Sequence, residues 1–150
     1  GNVEWQEYTS LQAAALVERQ TAFVRKIIEE TSGFDNVYYE ICNEPGGGIP
    51  GHVSPADVDA WQERIAGVVR EELRRLNRQH LVAGQEAFTY GTPNRFPLDK
   101  SFSSPLFDIV NVHPLPATLF GVRRYQLGNF MASEMHSSEV AYFCVATLDQ

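Results

Sequence analysis

Three short polar clusters close three hydrophobic runs. Asn43 and Glu44 end the run VYYEICNEP, Gln85 and Glu86 follow HLVAG, and Asn111 and His113 lie at the end of FDIVNVHP. A single polar strand end is what a chain reversal ordinarily leaves behind. Three of them on one rim of one sheet would line a cavity with donors, acceptors and acids, the groups from which proton transfer and the recognition of a polar ligand are built. The elements between them decide whether they share a rim.

Over residues 9–31, Leu16, Phe23, Val24, Ile27 and Ile28 fall at helical spacing, with Arg19, Arg25, Lys26, Glu29 and Glu30 on the other face, so an amphipathic helix is expected. SGFDN supplies a turn, and the continuous apolar and aromatic run VYYEIC suits a buried strand. Ser54, Pro55 and Asp57 form a capping-box-like start to a second helix, which carries Val58, Trp61, Ile65, Val68, Val69, Leu73 and Leu76 at the right period. HLVAG, closed by Gly84, reads as a second strand. A long loop rich in glycine, proline and aromatics follows, then FDIVNVHP as a third strand and SSEVAYFCVATLDQ as a last helix.

Strands alternating with helices predict βαβ units and a parallel sheet. A doubly wound sheet would usually carry a GxGxxG turn after a strand; the cluster Gly46, Gly47 and Gly48 follows a strand but lacks that spacing. The other closure is a (β/α)8 barrel, which typically takes about 250 residues. With three clear strands in 150 residues, the expectation is a partial (β/α)8 TIM barrel. Residues 1–150 would form one partial domain, truncated at both ends.

The formal charge of −7, from 19 acidic and 12 basic residues, argues against a general attraction to nucleic acid or to an anionic membrane, and no apolar run is long enough to span a bilayer. The segment GNVEWQEYTS has no basic region leading into an apolar one. Cys42 and Cys144 lie in apolar surroundings with no metal-type spacing, so both are expected as buried free thiols.

Alternation along the first strand sets Tyr38, Glu40, Cys42 and Glu44 on one face and Val37, Tyr39 and Ile41 on the other. Glu44 would reach the barrel mouth, with Glu40 deeper along the axis as a structural acid that needs a buried partner. On the third strand, Val110 and Val112 would face the helices and Asn111 and His113 the axis.

VYYEICNEP resembles the end of the fourth strand in the clan A glycoside hydrolases, particularly the family 5 cellulase-like enzymes, in which an Asn-Glu-Pro motif carries the acid/base glutamate. FDIVNVHP is similar to that family's sixth strand, where a histidine lines the sugar site. Two such motifs separated by a strand and a helix are far more specific than Asn-Glu-Pro alone. The resemblance spans about strands 4 to 6 with their flanking helices, nearly the whole chain.

It implies a retaining hydrolase of a polysaccharide or oligosaccharide, with no metal or organic cofactor. Glu44 would be the general acid and base, Asn43 would bond the sugar 2-hydroxyl, and His113 would border the subsite. Simple alternation points Asn43 away from the axis, so the strand end must break its pleat for that role. Retention needs two carboxyl groups about 5 Å apart. The family's nucleophile is a glutamate on the seventh strand, outside this chain, and Glu134 and Glu139 are poor substitutes. Leu115 stands where the family often has an aromatic. Glu86 is either an exposed loop acid or a substrate contact, and Tyr90 is a candidate stacking platform among loop aromatics that would otherwise pack. One rival reading is a non-catalytic carbohydrate-binding or scaffold protein derived from such a barrel; the other is an α/β protein in which Asn-Glu-Pro is only a turn.

Overall fold

The computed structural model describes residues 5–43, 45, 53–85, 100 and 103–111. In order, these form α1 (Trp5–Tyr8), α2 (Ala14–Thr31), β1 (Tyr39–Glu40), α3 (Pro55–Arg75), β2 (Val82–Gln85) and β3 (Ile109–Asn111). The strands make one parallel sheet in the order β1-β2-β3, with Tyr39 opposite Val82, Ala83 opposite Ile109 and Gln85 opposite Asn111. The chain is therefore a mixed α/β protein with a parallel sheet. The expected C-terminal helix and most of the loop 85–105 lie outside the described residues.

The helix expected over 9–31 starts later. Thr9 and Ser10 are buried in a turn after α1, and α2 begins at Ala14 without a side-chain cap. Hydroxyl residues favour such turns because they compete with the backbone for hydrogen bonds. The buried stripe is also narrower than the apolar spacing suggests. It runs through Thr21, Val24 and Ile28, while Phe23 is 66% exposed and Ile27 faces outward.

The start of α3 agrees with its sequence signature: the Ser54 hydroxyl accepts from the N–H of Asp57 at 3.1 Å, and Pro55 takes the first turn. This cap fixes the register of a helix that buries Val58, Trp61, Ile65, Val68, Val69 and Leu73. One face of α3 meets α2 and the sheet, where Ile28, Ala66, Val69, Leu73 and Val82 form a buried cluster with Tyr39, Ile41 and Phe107 packed on it. Gly84 does not close its strand; it lies within β2, where a Cβ would come within 2.8 Å of the Phe107 ring. The missing side chain is what lets that ring lie against the strand.

Polar clasps fix the lower ends of the strands. Arg70 of α3 donates to the Leu106 and His80 carbonyls and, at 2.7 Å, to Asp108, whose carboxylate also accepts the N–H of Val82 at 2.9 Å. One arginine thereby sets the starts of β2 and β3 against α3. Arg75 bonds both the buried Glu72 and the exposed Glu29, linking α3 to α2. Hydrogen bonding from Arg75 holds the Glu72 carboxyl below the usual carboxylate range. A carboxyl depressed on folding stabilises the protein above its unfolded pKa, and that contribution disappears as pH falls through the folded value. Urea midpoints should therefore decline on acidification below the ordinary glutamate range, and Glu72→Gln should flatten that decline.

Candidate functional site

The register divides the sheet into two faces. Tyr39, Ile41, Val82 and Val110 belong with the helix side, since Tyr39, Ile41 and Val82 pack in the inter-layer cluster and alternate residues share a face. Opposite them run two rows across the strands. Glu40, Ala83 and Ile109 form the lower row; Gln85 and Asn111 form the upper one, with Cys42 on the same parity. The expected parity of Glu40, Val110 and Asn111 is therefore the observed one.

The upper row is polar and buried. Gln85 is fully buried and Asn111 is 1% exposed, side by side on adjacent parallel strands. Glu40 is half-buried, and its Oε1 is buried without a hydrogen-bond partner among the described residues, so the partner this acid needs is not among them.

The most informative side chain at this end of the sheet is one that periodicity passes over. Gln62 of α3 is 1% exposed and its amide grips the Gln85 backbone, donating to the carbonyl at 2.7 Å and accepting from the N–H at 3.0 Å. Below this point the β1/β2 ladder is regular, with the N–H of Tyr39 on Leu81 O and that of Ile41 on Ala83 O, both at 3.0 Å. Its continuation would give Gln85 the Ile41 carbonyl and the Asn43 N–H. Gln62 occupies both places, so β1 ends at Glu40 rather than running on through Cys42. The signal for this in the sequence is that Gln62 stands four residues after Val58 and three before Ile65, a polar residue on a core stripe.

That substitution releases the segment carrying Asn43. Asn43 is exposed and lies beyond the end of the β1/β2 ladder. Pro45, two residues on, is fully buried, so the segment turns back into the protein rather than ending in a solvated reversal. Glu44, Glu86, Tyr90 and His113 lie outside the described residues, as does Cys144. Of the five residues singled out for chemistry, the structure thus locates Asn43, together with the buried row that Gln85 and Asn111 build below the rim.

Cys42 is a free, half-buried thiol. Burial, and then the charge of Glu40, push its pKa up to about 11. Such a thiol is protonated near neutrality and is a poor nucleophile. In a Cys144→Ser background, labelling of Cys42 by a disulfide reagent at pH 7.5 should run at least about tenfold below that of an unperturbed thiol, because its much smaller thiolate fraction is only partly offset by the greater nucleophilicity of a more basic thiolate. Rapid labelling would show that Glu40 and burial do not act on the thiol as described.

No group of three or more His, Cys, Asp or Glu side chains suited to a metal occurs among the described residues, and no helix among them is long and apolar enough to cross a membrane. In comparisons with protein-family models, with curated proteins and with solved structures, the chain matches none.

Proposed function

We propose that this chain is part of a (β/α)8 retaining glycoside hydrolase acting on a polysaccharide or oligosaccharide, with Glu44 as the acid/base. The observation that carries the reading is the polar upper row of the sheet face opposite α2 and α3. A doubly wound protein covers both faces of its parallel sheet with helices and so needs apolar residues on both. Here buried Gln85 and Asn111, the last described residues of β2 and β3, stand in register on the second face. A barrel reserves that position for its mouth, where function collects. The Asn-Glu-Pro segment leaves β1 at the same end, freed from the ladder by Gln62.

In this reading Glu44 protonates the departing glycosidic oxygen, then takes a proton from the water that releases the sugar. A glutamate from a further strand attacks the anomeric carbon. Asn43 holds the 2-hydroxyl, His113 and Glu86 border the sugar, and Tyr90 stacks against it. The test is hydrolysis of β-linked polysaccharides by the protein that contains this segment, with the anomer of the first-formed product read by proton NMR. Retained configuration supports the proposal. Inverted product would overturn the two-carboxylate arrangement, and saturable sugar binding without hydrolysis would assign the segment to a binding protein.

A further inference from the structure

At the opposite end of the sheet from this site, a cavity of about 670 Å³ opens between the C-terminal end of α3 and the entry to β2, lined in part by Leu73, Arg74, Asn77, Arg78 and Leu81. We infer that it binds a small molecule carrying a phosphate-type dianion.

Arg70 and Asp108 also line the cavity, but they neutralise each other through their 2.7 Å ion pair, and both ring nitrogens of His80 lie within 3.1 Å of the carbonyls of Ser32 and Val37. Arg74 and Arg78 have no such partner among the described residues, although acidic residues outnumber basic ones in the chain by 19 to 12. A helix C-terminus ordinarily repels an anion through its free carbonyls. Here the turn occupies three of them: Leu76 N–H donates to Glu72 O, Asn77 N–H to Arg74 O and Arg78 N–H to Leu73 O. Asn77, at φ 52°, is the left-handed residue that makes this closure.

Arg74 and Arg78 both line the cavity, and a guanidinium's forked donors suit a doubly charged oxyanion. The volume exceeds what a bare phosphate needs, and Leu73 with the half-exposed Leu81 supplies an apolar wall for an organic body. The site is independent of glycoside hydrolysis and stands whether or not that reading does.

Calorimetric titration of the purified protein with glucose 6-phosphate, inorganic phosphate, glucose, and potassium chloride at matched ionic strength tests it. Saturable binding of the phosphate compounds alone is expected, and the double variant Arg74→Ala, Arg78→Ala should weaken it at least about tenfold. The paired lysine variant should retain part of the affinity. Tighter binding of the ester identifies the source as a phosphomonoester, and equal binding identifies free phosphate; both support the site. Lack of saturable binding, or affinity unchanged in the double alanine variant with its circular dichroism intact, would overturn it.

Discussion

Gln62→Ala is expected to destabilise the protein by about 2–5 kcal/mol, because two buried backbone groups of Gln85 lose their partners at once and a cavity opens beside them. An unsatisfied buried backbone group alone costs roughly 1–3 kcal/mol. Domains of this size are stable by only about 5–15 kcal/mol, so the loss should be plain in a urea titration. The variant Gln62→Leu separates the two contributions. It nearly preserves volume, so whatever it loses measures the hydrogen bonds, and the further loss in the alanine variant measures the void. A leucine variant as stable as the parent would mean that β1 closes its ladder onto Gln85 when the amide is removed. The same experiment therefore reports whether the splayed strand end is imposed by Gln62 or is intrinsic to the segment.

The elements legible in the sequence are those in which local chemistry and tertiary burial agree. Ser54, Pro55 and Asp57 specify the start of α3 by their own hydrogen bonding, and the apolar period that follows is the buried face. The facing of Tyr39, Glu40, Val110 and Asn111 follows from the two-residue repeat of a strand, which does not depend on the neighbours. Where a distant residue competes, the pattern misleads. Phe23 and Ile27 have the spacing of a core stripe, yet α2 meets α3 along Val24 and Ile28, with Thr21 also buried, a choice made by helix packing rather than by hydrophobicity. VYYEIC has the composition of a six-residue strand, but a side chain twenty residues away takes over its ladder after Ile41. Gly84 has the character of a stop signal, since glycine often marks one, whereas its function here is to make room for Phe107. The candidate site shares this division. The sequence identifies its residue types by motif; the geometry that frees Asn43 rests on Gln62, and nothing in the motif specifies it.

If Glu44 is the acid/base, Glu44→Gln in the protein containing this segment should lower hydrolysis of substrates with poor leaving groups by about 10²–10⁴-fold. The amide keeps the size of the carboxyl group and its capacity for hydrogen bonding but cannot transfer the proton. Aryl glycosides with activated leaving groups depart without that proton, so their first step should be largely spared. Release of the glycosyl intermediate also needs Glu44, now as a base, so a burst of aryl product followed by a slow steady state is expected. The pH dependence supplies an independent check. A general acid must be protonated to act, so activity falls as pH rises through its pKa; the glutamine variant should lose that alkaline limb on activated substrates while keeping the acid limb, which belongs to the nucleophile. Equal losses on both substrate classes, with the bell-shaped profile unchanged, would remove Glu44 from proton transfer. The exposed Asn43 and the buried Pro45 would then bracket a residue whose role is to shape the turn between β1 and α3.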